Sequence, residues 1–129
     1  MSDRHLWDEM CEAMKWHNHE HHCCIDTVNR LLQKHPRAKE RGEIPHVARG
    51  SLNVAEESWE LDRLWGLIHE TQITDVVPNS TGPAIVVLRW KGVEYLMDGR
   101  RRINGWKRNG NLGPHRVLVL HHVNQGNDA

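Results

Sequence analysis

The first 35 residues place apolar side chains at the three- and four-residue spacing of an amphipathic α-helix. One stripe consists of Leu6, Met10, Ala13 and Met14, and a second consists of Ile25, Val28, Leu31 and Leu32. Because Ser2 or Asp3 can cap the first helix and Pro36 stops the second, we predict two helices. Residues 36–49 are charged and contain Gly42 and Pro45, so we predict a connector there.

Residues 53–70 are predicted to form a third helix. Asn53 and Glu56 have the spacing of a capping pair. One face of this helix then carries Val54, Leu61, Leu64, Trp65 and Ile68. A short β-type segment at 74–77 and a turn at 78–83, rich in Pro, Asn, Ser, Thr and Gly, follow it.

The rest of the chain alternates between strand and helix patterns. We predict strands at 84–88 and 93–97, a helix at 100–108, a loop at 109–114 and a final strand at 117–120. Lys91-Gly92 joins the first two strands in a tight hairpin. On the predicted helix, Ile103 and Trp106 face inward.

This order of elements is typical of a small α+β domain, a mixed sheet with flanking helices. The chain is predicted to divide into a helical N-terminal extension (1–49), an α+β domain (50–123) and a polar tail (124–129).

Length and composition narrow the class of protein. A chain of 129 residues has the size of one domain. No apolar run is long enough to span a bilayer, and the charged N-terminus does not resemble a secretory signal. Three cysteines, two of them adjacent, do not predict a disulfide framework, so we predict a reducing, cytoplasmic location.

The formal net charge is zero, but opposite charges concentrate in different segments. Residues 51–76 carry six acidic residues and one basic residue, whereas residues 89–116 carry eight basic and two acidic residues. The two segments can attract each other within the domain. A basic cluster left open would instead bind anions.

The densest basic cluster lies where a predicted strand turns into a predicted helix. Gly99 allows a sharp turn, and Arg100, Arg101 and Arg102 then occupy the first helical turn. Backbone N–H groups in a first turn lack helical partners, and guanidinium groups match phosphate oxygens. The alternative is that these arginines are solvated or pair with the acidic residues between Glu56 and Asp62 on the third predicted helix.

From about residue 53 to 120, the chain resembles the ParB/sulfiredoxin-like domains. In that family a hairpin strand ends in a motif of the form D-G-x-(H/R)-R or G-x-x-R-x-x-A that opens a helix, and a strand follows. Here the motif extends from Asp98 to Gly105, with glycine at its last position where the family has alanine.

The resemblance implies binding of a nucleoside triphosphate with Mg²⁺. Gly99, Arg101 and Arg102 would then bind the phosphates, with Arg100 as an accessory residue. Sulfiredoxin activity is not expected, because Arg100 occupies the position of the reactive cysteine. Chromosome partitioning is not expected either, because only about nine residues follow the last predicted strand.

Phosphoryl transfer or nucleotide hydrolysis would need a carboxylate to hold Mg²⁺ or orient a nucleophile. Asp98 is the candidate catalytic residue, with Glu56, Glu57 or Glu60 as uncertain partners. Two alternatives to a nucleotide-binding domain stay open. One is a non-catalytic protein that binds a protein or nucleic-acid partner, and the other is a ParB-like DNA nuclease. No membrane partner is expected, and a homo-oligomer is allowed.

Two further clusters have a structural and a functional interpretation. His17, His21 and Cys24 could face one side of a helix as zinc ligands, but a fourth spaced ligand is missing, so we predict no metal site. Six tryptophans could stack on bases or partners. We predict Trp65 and Trp106 in the core, and Trp7, Trp16 and Trp59 as interface anchors.

Overall fold

A computed structural model describes residues 2–14, 24–73 and 84–122. Its helices are α1 (Ser2–Met14), α2 (Cys24–Lys34), α3 (Pro36–Arg41), α4 (Leu61–Trp65) and α5 (Arg100–Asn109). Its strands are β1 (Leu52–Trp59), β2 (Ile85–Trp90), β3 (Val93–Asp98) and β4 (His115–His122). Short 3₁₀ turns occupy Arg49–Ser51 and Glu70–Gln72.

The four strands form one mixed sheet in the order β1-β4-β2-β3. β4 is antiparallel to β1 and parallel to β2, and β3 is antiparallel to β2. The two central strands are buried on both faces, as their unbroken apolar runs predicted. The predicted fold class, a small α+β domain with a mixed sheet, is confirmed.

One face of the sheet is covered by α1 and α2. Val86 and Leu88 of β2 point to this side, and Met10 of α1 and Leu32 of α2 pack over them without solvent exposure. The alternation of side chains along a strand sends their neighbours to the other side. We call this the α1/α2 face.

The opposite face is covered by α4 and α5. Ile85 and Val87 of β2 point to this side, and Leu64 of α4 and Ile103 of α5 pack against them. We call this the α4/α5 face. The order β3–α5–β4 therefore places the first turn of α5 at the end of β3, beside a buried part of the sheet.

The predicted helix at 53–70 is wrong in its first half, which forms strand β1. Leu52 and Val54 are buried on the α1/α2 face while Asn53 between them is exposed, and Trp59 is buried on the α4/α5 face, so side chains alternate between the two faces as in a strand. Glu56 and Glu57 obscured this alternation because both are helix-forming residues. They are accommodated in the strand because Arg116 and Arg89 pair with them. Within the predicted range, only Leu61–Trp65 is α-helical.

The predicted connector at 36–49 contains a helix, α3, and is otherwise irregular. The side chain of His35 caps α3 by accepting a hydrogen bond from Arg37 N, and Gly42 ends the helix in the left-handed region. Further on, Asn29 of α2 exchanges two hydrogen bonds of 2.9 Å with the backbone of Val47. The connector is thus fixed to α2 along part of its length.

The two N-terminal helices, the hairpin at Lys91-Gly92, the helix after Gly99 and the last strand are confirmed. The predicted segments at 74–77 and 78–83 lie outside the described residues. The division at residue 49 stays a prediction, although α1 and α2 share one core with the sheet. Within the described ranges, no helix has the length and apolar character needed to cross a membrane.

Candidate functional site

The predicted basic turn lies at the junction of β3 and α5. β3 ends at Asp98, Gly99 is the N-cap of α5, and α5 begins at Arg100. Gly99 has φ +116°, in the region that favours glycine, and offers no side chain to cap the helix. The ten-residue helix therefore presents its first turn without a side-chain cap from its own N-cap residue.

Close packing is a second reason for glycine at this position. A Cβ built on Gly99 would overlap Cδ1 of Ile85, whose side chain is fully buried on the α4/α5 face. The backbone of the junction therefore lies directly on the sheet. This contact explains Gly99 structurally, whether or not a ligand binds there.

The three arginines of the first turn occupy different environments. Arg102 is only 9% exposed, and its Nη2 donates to Oδ2 of Asp98 at 3.0 Å. Burial lowers the pKa of Arg102, and the charge of Asp98 opposes that shift. Asp98 and Arg102 thus form a nearly buried ion pair across the junction.

Arg100 and Arg101 are both exposed, in contrast to Arg102. Among the described residues, neither has an ion-pair partner within 4 Å. Cations near a helix N-terminus are disfavoured by the helix dipole, so the first turn combines two exposed positive charges with partially positive backbone groups. This concentration of positive charge can attract an anion.

Asn104 fixes the next turn of α5. Its Nδ2 donates to the carbonyl oxygen of Gln72 at 3.2 Å and to that of Arg100 at 2.8 Å. Asn104 is buried, so these hydrogen bonds form away from water. The start of α5 is therefore attached to the segment that follows α4 as well as to the sheet.

The acidic residues considered as partners for Asp98 lie elsewhere. Glu56 and Glu57 belong to β1, which is separated from β3 by β4 and β2. At ~4.8 Å per strand spacing, β1 and β3 are roughly 14 Å apart. Glu60 is exposed at the start of α4. Within the described part of the chain, no three His, Cys, Asp or Glu side chains could hold a metal ion together.

Some charges of the acidic segment 51–76 form ion pairs with charges of the basic segment 89–116. This agrees with the interpretation that the two segments attract each other within the domain. Arg89 of β2 lies 2.8 Å from Glu94 and 3.3 Å from Glu57. Arg63 of α4 lies 2.9 Å from the same oxygen of Glu94. His121 Nε2 is 3.8 Å from Glu57.

These five residues form a charged row on the α4/α5 face that sequence reasoning missed. Burial opposes ionisation of Glu57, but hydrogen bonds from Arg89 and Trp59 outweigh it and lower the pKa of Glu57. Burial also lowers the pKa of His121. The members come from four strands and one helix, so no local pattern reveals them. Each carboxylate of the row has a cationic partner, which indicates a structural role.

The described tryptophans pack within the chain. Trp59 is 2% exposed and Trp7 is 9% exposed, so the prediction that they are interface anchors is wrong. The cationic groups of Arg49, Arg63, Lys91 and Lys107 lie 3.7–5.3 Å from the ring centroids of Trp7, Trp59, Trp90 and Trp65, respectively. The prediction that Trp65 and Trp106 pack in the core is confirmed in part, since both are half-buried and pack against the outside of the α4/α5 core.

Trp106 has a ring partner close to the basic turn. Its ring stacks on that of His115 with centroids 3.6 Å apart and an angle of 6° between the planes. A nucleic-acid base would have to displace this contact to use that face of Trp106. Trp16 lies outside the described residues.

The predicted His17–Cys24 cluster also falls largely outside the described residues. Cys11, by contrast, is disulfide-bonded. A single bridge is not a disulfide framework, but it shows that an odd number of cysteines still permits pairing. The other cysteines are Cys23 and Cys24, whose side chains are not described. The cysteine argument for a reducing compartment loses its basis, and the cytoplasmic location stays a prediction.

Comparisons of the chain with protein-family models, curated proteins and solved structures find no match. The ParB/sulfiredoxin resemblance therefore stays a prediction that rests on the motif from Asp98 to Gly105.

Proposed function

We propose that this protein binds a phosphate-bearing ligand, a nucleotide in particular, at the junction of β3 and α5. The observation that carries the proposal is the pair of exposed guanidinium groups, Arg100 and Arg101, on a first helical turn that Gly99 leaves without a side-chain cap. Backbone N–H groups and arginines together are the usual donors to phosphate oxygens at helix N-termini.

The four residues have different roles in this proposal. Arg100 and Arg101 contact the phosphates, and Gly99 turns the chain at a positive φ so that the first-turn backbone N–H groups of α5 face the ligand without a side-chain cap. Arg102 is held by Asp98 at 3.0 Å, so it stabilises the junction. From its nearly buried position it also contributes positive electrostatic potential to the site. This differs from the family-based expectation, in which Arg101 and Arg102 are the main binders.

Binding is proposed without a catalytic step. A catalytic carboxylate must reach Mg²⁺ or a nucleophile. Asp98 is paired with Arg102, and Glu56 and Glu57 are paired with arginines on the far side of the sheet. Magnesium in this proposal accompanies the nucleotide and is held by its phosphates. Asp98 as a catalytic residue stays a prediction.

Calorimetric titration with ATP, CTP and GTP, each with and without Mg²⁺, tests the proposal. We expect saturable binding by the wild type and at least a tenfold weaker affinity for the double variant Arg100→Ala/Arg101→Ala, because both phosphate contacts are removed. The matched control is Lys39→Ala/Arg41→Ala, which removes the same charge from exposed positions on α3.

Each outcome separates the alternatives. Equal losses in the two double variants would indicate a diffuse charge effect and contradict the site. No nucleotide binding, combined with binding to DNA or RNA that weakens steeply with salt, would favour the nucleic-acid alternative. Arg102→Ala is unsuitable as the main probe, because it would leave the Asp98 carboxylate without its guanidinium partner.

A further inference from the structure

The outer edge of β3 is held by two side chains from the start of α3. β3 is the last strand of the sheet, so its outward carbonyl groups need partners other than a neighbouring strand. His35 Nε2 lies 3.1 Å from the carbonyl oxygen of Leu96, and Arg37 Nη1 donates to that of Glu94 at 3.1 Å. Arg37 Nη2 also donates to the carbonyl oxygen of Gly66 at 2.6 Å.

The contacts of His35 determine which of its nitrogens carries the proton. A carbonyl oxygen can only accept a hydrogen bond, so Nε2 must carry the proton that it donates to Leu96. A backbone N–H can only donate, so Nδ1, which is 3.1 Å from Arg37 N, must be unprotonated. Both contacts exist only in the neutral ring with the proton on Nε2.

The surroundings of His35 keep it in that form. The residue is 4% exposed, and its ring meets the ring of Tyr95 edge-on with centroids 5.4 Å apart. Among the described residues, the charged or titratable groups that face it are Arg37 on α3, His69 after α4, and Tyr95 on β3. Burial, with smaller contributions from Arg37 and His69, lowers the pKa of His35 to about 4, although the hydrogen bond to Leu96 opposes this shift.

The geometry points to an acid-sensitive latch, in which protonation of His35 releases one of the two attachments between the start of α3 and the edge of β3, while Arg37 keeps the other. A proton on Nδ1 would point at the N–H of Arg37, so the cap of α3 is lost. The charged ring then leaves its buried position and also breaks the bond to Leu96. One proton therefore removes two contacts, and the carbonyl group of Leu96 becomes free for another donor.

Nuclear magnetic resonance titration from pH 7 to pH 3 tests the latch. At pH 7 we expect the ring to be neutral with its proton on Nε2. As the pH falls, the ring should titrate with a midpoint near 4, and the backbone amide signal of Arg37 and the carbonyl carbon signal of Leu96 should shift with the same midpoint, since the ring controls both contacts.

Two substitutions separate the two contacts. His35→Gln keeps a side chain that can donate to the Leu96 carbonyl but does not titrate. His35→Asn keeps a cap for α3 but is too short to reach Leu96. Both His35→Gln and His35→Asn should abolish the shared transition at Arg37 and Leu96. His46→Gln, at an exposed histidine of the connector, should leave the transition unchanged.

Three results would overturn the latch: a ring that titrates near 6.5, a proton found on Nδ1 at pH 7, or transitions at Arg37 and Leu96 that persist in both variants of His35. If neither variant folds, the wild-type titration still decides, because the ring, the Arg37 amide and the Leu96 carbonyl must share one midpoint.

Discussion

The two faces of the sheet are built on different principles. The α1/α2 face is closed by aliphatic and thioether side chains from α1 and α2, such as Met10 and Leu32, which are fully buried. The α4/α5 face has a smaller apolar centre, and α5 places the buried polar residues Arg102 and Asn104 beside it. The first face depends mainly on buried volume, with Thr27 and His35 as buried polar residues at its margin, whereas the second depends on an ion pair and on close backbone approach.

The largest effect is expected from a cavity on the α1/α2 face. Leu32→Ala should lower the free energy of unfolding by roughly 3–4 kcal/mol, because Leu32 is fully buried and its methyl groups would leave a void. Denaturant unfolding followed by circular dichroism measures this loss. Leu31→Ala, at the partly buried neighbour on the same helix, is the control and should cost clearly less. Equal losses would contradict the assignment of buried volume to this face.

On the α4/α5 face, a single added methyl group should lower the free energy of unfolding. Gly99→Ala should cost about 2–3 kcal/mol, because its Cβ overlaps Ile85 Cδ1 and its φ of +116° strains any side chain. Ile85→Val removes Cδ1, so the double variant Gly99→Ala/Ile85→Val should be more stable than the sum of the single losses predicts. Strict additivity in the unfolding free energies would show that the overlap does not matter.

A smaller loss is expected from the ion pair at the same junction. Asp98→Asn should cost about 2 kcal/mol, below the ~3–5 kcal/mol of a fully buried pair, because the two side chains are 15% and 10% exposed. Asp62→Asn, at an exposed carboxylate of α4, should leave the unfolding free energy nearly unchanged. If Asp98→Asn also has no effect on stability, Asp98 is not a structural partner of Arg102, and its predicted catalytic role gains weight.

The strands and the basic junction could be predicted because their patterns are local. The apolar run of β2 and the pair Lys91-Gly92 specify a buried strand and a hairpin from neighbouring residues alone. Gly99 likewise marks a sharp turn into a helix. The sequence did not reveal that Ile85 approaches Gly99 so closely, because the two residues are 14 positions apart.

The errors arose where distant residues override local preference. Asn53, Glu56 and Glu57 favour a capped helix locally, but eight residues of β1 pair with β4 and their glutamates meet arginines from other strands. The same physics distinguishes the three arginines of α5. They are identical in type and adjacent in sequence, yet Arg102 is buried against Asp98 while Arg100 and Arg101 are exposed.

The amino-acid sequence by itself determined the α+β class, the central buried strands and the position of the basic turn, because these depend on local hydrophobic periodicity and turn chemistry. Only the tertiary structure decided which charges are neutralised and which stay open to a ligand. That outcome depends on which strands lie side by side, and burial of a charge is tolerated only where the fold brings it an opposite charge.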